Sequence, residues 1–184
     1  LNVSAPQRGD KQITLKHLAT HTSGLPRMPD NFAPADMNNP YIDYGEDELF
    51  GFLTGYTLER DIGESVEYSN YGMGLLGYLL CLSQSKSYPI LLRDVIVQPL
   101  GMTDTTTELV GALSLRLVPG HANGVQVANW DFDTLVGAGG IRSTTRDMAH
   151  FIAVNMGLGN PVRLKLLNPS LYQAMKATHI PRRI

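Results

Sequence analysis

Tyr68-Ser69-Asn70 stands where the loop Gly63-Glu64-Ser65-Val66-Glu67 meets the apolar run from Tyr71 to Leu80. A phenol can carry a proton in either direction, and a carboxamide both donates and accepts, so it can grip an amide. Two residues apart at a helix entrance, Tyr68 and Asn70 form a pair suited to both tasks. The ordinary alternatives are half-buried packing for Tyr68 and an N-cap for Asn70. What the pair lacks is a nucleophile. Ser83-Gln84-Ser85-Lys86 has the S-x-x-K spacing of an attacking serine with its lysine one turn on. Such a serine must open a buried helix, whereas Ser83 closes an apolar one and runs into a polar loop. Ser23 has no G-x-S-x-G around it and reads as a helix stop.

His17 and His21 have the spacing of a zinc pair. Leu18 stands where a zinc protease carries its glutamate base, and no third ligand has recognisable spacing, so neither a metal site nor a cofactor is expected. His121, His150 and His179 are isolated polar groups. Met73, Met102, Met148 and Met156 read as core fillers. Gly137-Ala138-Gly139-Gly140 lacks the Lys-Ser/Thr ending of a phosphate loop. Its glycines read as room for close backbone approach, either to a neighbouring strand or to a substrate.

The elements that must position these residues are mostly helical. Leu15, Leu18 and Ala19 repeat at helical spacing within 14–22, with Ser23-Gly24 and Pro26 as stop signals. Residues 26–44 are rich in Pro, Asn and Asp and read as a long surface loop, a type that is usually functional or lid-like. Residues 46–53 predict a short helix with acidic residues in its first turn. Residues 70–82 predict a helix apolar on most faces, hence central to the core. Gly72, Gly74 and Gly77 each weaken that helix by about 1 kcal/mol, so it must survive by close packing. A further helix is expected over 88–97, ended by Pro99-Leu100-Gly101. Residues 103–140 read as irregular, with turns at Gly120 and Gly124 and short strands within 124–129. A helix over 144–156 opens on Thr144-Thr145-Arg146-Asp147, which resembles a capping box. A last helix is expected over 168–177, with Asn168 or Ser170 near its N-cap and Pro169 in its first turn. The chain therefore reads as mainly α with long loops and little strand.

The 184 residues are 43% hydrophobic and 17% charged, which describes a globular chain. That length suits one domain, with room for a small lobe. A net charge of −2 carries no basic footprint, so nucleic acid is not an expected partner. The single cysteine, Cys81, excludes an internal disulfide framework and reads as a buried, inert thiol. No stretch reaches the roughly 20 apolar residues of a membrane span. Leu1-Asn2-Val3-Ser4-Ala5-Pro6 has neither the basic start nor the apolar core of a signal peptide. The absent initiator Met is read as removal of residues upstream, and nothing within the chain fixes its compartment.

A resemblance spans most of the chain. Residues 13–26, Ile-Thr-Leu-Lys-His-Leu-Ala-Thr-His-Thr-Ser-Gly-Leu-Pro, resemble the "ITLRHLLTHTSGLP" block of the serine β-lactamase-related proteins: class C β-lactamases, D-alanyl-D-alanine carboxypeptidases and related penicillin-binding esterases. Glu67-Tyr68-Ser69-Asn70 resembles their Y-x-N block. Residues 97–105 are similar to "PLGMxDT", and residues 139–148 to "GGLxSTxxDM". The blocks follow the family's order from about Ile13 to Met156. In that family a serine of S-x-x-K attacks a β-lactam, a D-Ala peptide or an ester, and water releases the acyl-enzyme. The resemblance implies that Tyr68 is a catalytic proton relay, a role for which a phenol needs nearby cations. It implies that Asn70 binds the substrate's amide side chain and that Gly139 borders the cleft. Ser69 falls at the variable position and receives no role.

The same resemblance implies what lies elsewhere. The family's S-x-x-K block precedes the "HTSG" block, and its closing K-T-G or H-x-G block follows on a sheet strand. Neither falls within these residues, and His121-Ala122-Asn123-Gly124 is a poor substitute for the latter. Ile62-Gly63 stands where Pro-Gly is common. Residues 1–184 are thus expected to be a single partial domain, the helical lobe of an α/β β-lactamase/transpeptidase-like fold with most of its antiparallel sheet missing. The expected function is that of a serine-hydrolase segment acting on β-lactams, peptidoglycan stem peptides or esters, inactive as an isolated chain. The family implies a periplasmic or secreted setting, and the uncovered sheet-facing surface implies self-association of a lone chain. The rival expectation is a non-catalytic module that keeps the lobe to bind a peptide or partner.

Overall fold

The structure, a computed structural model, describes residues 3–158 together with Ser170 and Gln173. It divides into two compact units, one of residues 1–88 and 116–140, the other of residues 89–115 and 141–184. The helix expected over 168–177 lies outside the described residues apart from Ser170 and Gln173.

In the first unit, a small antiparallel hairpin pairs β1 (Gln7–Arg8) with β2 (Lys11–Gln12). Helix α1 (Leu15–Ala19) follows, shorter than its periodicity suggests. Thr14 caps it, and His17 reaches back to the Thr14 N–H at 3.2 Å, taking the place of the usual glutamate in a capping box. His17 thereby has a local structural role at the start of α1. Helix α2 (Glu46–Gly55) starts at Gly45, whose N–H donates to Glu48 at 3.0 Å. Helix α3 (Asn70–Gln84) ends at Ser85, which lies in the left-handed region at φ 50°.

The core of this unit joins Leu18 and Leu25 to Leu49, Phe52 and Leu53 of α2, to Tyr71 and Leu75 of α3, and to Leu135. The fully buried Tyr71 donates its hydroxyl to the Leu49 carbonyl at 2.7 Å, which joins α3 to α2. Burial pushes that phenol far above its ordinary range.

A short helix absent from the sequence reading, α6 (Val136–Gly139), packs on α3 through glycines. A Cβ on Gly74 would lie 2.4 Å from Leu135 Cδ2, and one on Gly137 would lie 2.8 Å from the Met73 carbonyl oxygen. The backbone approach expected at Gly137 therefore exists, but its partner is α3 and not a strand. The expected strand signal near Gly124 resolves into a hairpin of β3 (Gly120–Ala122) and β4 (Val125–Val127). Cys81 is half-buried, not fully buried as expected, and desolvation raises its thiol above the usual range.

The boundary between the units falls at the first residue of α4 (Tyr88–Leu92). The single helix expected over 88–97 continues as a widened π turn, Arg93–Val97, and a final turn α5, Gln98–Leu100. Pro99 has no N–H for the carbonyl four residues back, and Gln98 N–H instead reaches Arg93 O. Gly101, left-handed at φ 63°, ends the segment.

In the second unit, Val97, Leu100, Met102 and Val154 form a small core with Leu92, Ile96 and Phe151. Helix α7 (Thr145–Asn155) is capped by Thr144, which accepts from Asp147 N–H at 3.3 Å. The other half of the expected capping box is not made. The buried Asp147 carboxylate instead accepts from Asp104 N–H and from the Thr105 hydroxyl, each at 2.8 Å. Among the described residues, strand is confined to the two small hairpins and an isolated bridge between Thr106 and Arg142. No helix among them is long and apolar enough to cross a membrane.

Candidate active site

The segment from Glu67 to Tyr71 is held by the loop that follows α1. Glu67 N–H donates to the His21 carbonyl at 2.8 Å, and Asn70 N–H donates to the Arg27 carbonyl at 3.0 Å. Between them, Ser69 N–H donates to His21 Nδ1 at 3.2 Å, and the Ser69 hydroxyl donates to the Pro26 carbonyl at 2.6 Å. The same hydroxyl accepts from Gly72 N–H at 2.8 Å, so Ser69 is the N-cap of α3. The residue without an assigned role is thus a buried structural pivot, and Asn70 is released from capping.

Tyr68 is half-exposed. Its ring lies 4.7 Å from that of His21, centroid to centroid, at an interplanar angle of 41°. The Arg27 guanidinium carbon stands 5.7 Å from the Tyr68 ring centroid. That distance suits a cation–π contact. Asn70 is half-buried and donates Nδ2 to Met28 Sδ at 3.5 Å, a weak acceptor that leaves most of the carboxamide's capacity unused.

Asn70 and Gly139 meet in one pocket of about 190 Å³, whose other walls are Tyr41, Trp130, Phe132 and Ala138. Tyr41 and Phe132 stack at 4.7 Å and 20°, and Trp130 lies 5.4 Å from Tyr41. Polar bonds fix these walls. Asp131 N–H donates to Asn39 Oδ1 at 2.6 Å, Asp133 N–H to the Tyr41 carbonyl at 3.3 Å, and the Thr134 hydroxyl to the Tyr44 carbonyl at 2.6 Å. Gly139 matters for space here, because a Cβ on it would come within 3.2 Å of Phe132 Cζ.

Sequence reasoning does not find these aromatic walls. The available signal is Tyr41 inside a loop of turn-forming residues, and the only tryptophan, Trp130, two residues before Phe132. Nor does it find His21 beyond its spacing from His17 as a metal ligand. Ser83 and Ser23 lie apart from this pocket's lining. Ser83 is exposed near the end of α3 and donates to the Leu80 carbonyl at 2.8 Å. Ser23 is buried and accepts from Leu25 N–H at 3.3 Å. His17 Nδ1 is bonded to Thr14 and His21 Nδ1 to Ser69, and no group of three or more metal-ligating side chains occurs among the described residues.

The Beta-lactamase family model matches residues 3–182. The chain belongs to that family. It is 32% identical over 150 residues to D-alanyl-D-alanine-carboxypeptidase/endopeptidase AmpH of Escherichia coli (strain K12), a match covering 80% of this chain and 37% of AmpH. The structure of a beta-lactamase/D-alanine carboxypeptidase from Yersinia pestis, complexed with citrate, matches at a TM-score of 0.69 and 29% identity, over 90% of this chain and 47% of that one. A class C beta-lactamase from Rhodobacter sphaeroides matches at a TM-score of 0.73 and 24% identity, over 91% of this chain and 43% of that one; this likeness concerns the fold alone. The chain thus has the helical part of the β-lactamase fold and spans less than half the length of these relatives. The relatives belong to the β-lactamase/D-alanine carboxypeptidase group of serine hydrolases.

Proposed function

We propose that this chain is the helical part of a serine hydrolase acting through an acyl-enzyme on β-lactams, D-Ala-terminated peptides or esters. In it Tyr68 relays protons and Asn70 holds the substrate's amide side chain. The observation that carries the reading is the division of labour at the start of α3. Ser69 takes the cap and both loop bonds, which leaves a half-exposed phenol on one side and an under-used carboxamide on the other. The Arg27 guanidinium lies against the face of the Tyr68 ring, its carbon 5.7 Å from the centroid, and helps to hold that ring in place. The flat aromatic walls beside Asn70 suit an apolar or aromatic group attached to the amide.

The test is Tyr68→Phe in the complete protein, assayed with nitrocefin and p-nitrophenyl acetate. Turnover should fall by about 10²-fold or more while the melting curve stays in place, since acid–base groups contribute about 10²–10⁴. Undiminished turnover in that variant removes Tyr68 from the mechanism.

A further inference from the structure

We infer that His21 is the positioning residue for Tyr68. The inference rests on the reading of Tyr68 as a proton relay and adds the device that aims it.

His21 is a non-glycine residue in the left-handed region, at φ 55°. Side chains rarely adopt that conformation, and its cost has to be met by contacts elsewhere. Three of its contacts fall on the segment that carries Tyr68. The His21 carbonyl accepts from the residue before Tyr68, with Glu67 N–H at 2.8 Å. Its Nδ1 accepts from the residue after Tyr68, with Ser69 N–H at 3.2 Å. Its ring packs against Tyr68 itself, with centroids 4.7 Å apart. One side chain and its backbone thus grip three consecutive residues.

The left-handed turn is what makes this grip possible, because it brings the carbonyl and the ring of one residue to bear on the same short segment. The bond to Ser69 also fixes the imidazole. Nδ1 is the acceptor, so the ring is neutral there and carries its proton on Nε2. A half-exposed tyrosine would otherwise explore several rotamers. The imidazole against its ring restricts that freedom, and a proton relay loses rate steeply when its reach varies. His21 acts through Tyr68 and touches no reacting atom.

The experiment is a double-mutant cycle in the complete protein. His21→Ala and His21→Asn are each made with and without Tyr68→Phe, and kcat and KM are measured on nitrocefin or p-nitrophenyl acetate. Asparagine tolerates the left-handed conformation and offers Oδ1 in the position of Nδ1, so it keeps the backbone grip and loses only the ring. His21→Ala should lower kcat about tenfold with KM changed less than about twofold, within the coupling seen between contacting residues. His21→Asn should recover part of that loss. With Tyr68→Phe already present, neither substitution should reduce kcat further. An equal loss in both backgrounds overturns the inference, because His21 would then act independently of Tyr68. Loss confined to KM overturns it too. If Tyr68→Phe alone leaves kcat unchanged, the relay reading has failed first and the inference falls with it. Melting curves identify any His21→Ala sample that is misfolded, and for that case the His21→Asn arm of the cycle decides.

Discussion

Gly74 and Gly51 both lie inside helices, yet the same substitution should move them in opposite directions. Alanine favours a helix interior over glycine by about 0.8–1.0 kcal/mol. Gly51 is exposed on α2, and a Cβ added there would meet nothing within 4 Å, so Gly51→Ala should realise most of that gain. At Gly74 the added methyl would lie 2.4 Å from Leu135 Cδ2 and 2.9 Å from Leu135 Cα. Leu135 is fully buried, and its backbone can move only if the chain leading into α6 moves with it. Forcing a methyl into such a site costs about 1–3 kcal/mol. The backbone clash puts Gly74→Ala at the upper end, for a net loss of about 1–2 kcal/mol after the propensity gain. The two variants should therefore differ by about 2–3 kcal/mol in denaturant unfolding of the complete protein. The displacement should also reach Gly139, at the end of α6, and so the pocket beside Asn70. Gly74→Ala as stable as Gly51→Ala would refute the idea that glycines are present on α3 to admit Leu135 and α6.

Two further outcomes follow from the pocket and its rim. Asn70→Ala should weaken kcat/KM for amide-bearing substrates more than for simple esters, because the lost group is a hydrogen-bond partner; equal losses on both would assign Asn70 a structural part. Asp133, beside the aromatic walls, has its carboxyl pushed above the ordinary range by desolvation and then by the Glu48 charge. A raised carboxyl pKa in the fold means that the stability it contributes is full below the unfolded value and is lost as pH rises through the folded one. Asp133→Asn should therefore melt higher than the parent at neutral pH, with the gap closing as pH falls below the carboxylate range, and a gap that widens on acidification would reverse the sign argued here.

Much of the local structure is legible in the sequence because it is set by neighbours in the chain. The start of α2 follows from its acidic first turn, and the end of α3 from the polar run at Ser83-Gln84-Ser85. What is not legible depends on distant partners. The periodicity over 88–97 gives no hint of a π turn, which arises where Pro99 cannot bond the preceding turn. Helix α6 is too short to show a period, and its place is set by glycines on α3. Within the site, Asn70 and Gly139 are found by resemblance. Tyr41, Trp130 and Phe132 are not, because three aromatics brought together by loop hydrogen bonds have no sequence spacing of their own.

The blocks that make the family visible also have a physical meaning that none of them shows alone. The block containing His21 and Pro26, with Arg27 directly after it, supplies the acceptors for Glu67, Ser69 and Asn70 of the Y-x-N block. In the second unit, the block containing Asp104 and Thr105, with Thr106 directly after it, is joined to the one containing Arg142, Ser143 and Asp147. Thr106 and Arg142 exchange backbone bonds at 2.9 and 2.8 Å, and Thr105 meets both the Ser143 hydroxyl and the Asp147 carboxylate. Each pair consists of two segments far apart in the chain that satisfy one another's polar groups at a buried or half-buried seam, where an unmatched partner costs about 1–3 kcal/mol. A change in one block therefore strands donors or acceptors in the other. In the first pair the seam lies directly under Tyr68 and Asn70. Ser69 and Pro26 thus fix, through the seam, where the phenol of Tyr68 and the carboxamide of Asn70 stand.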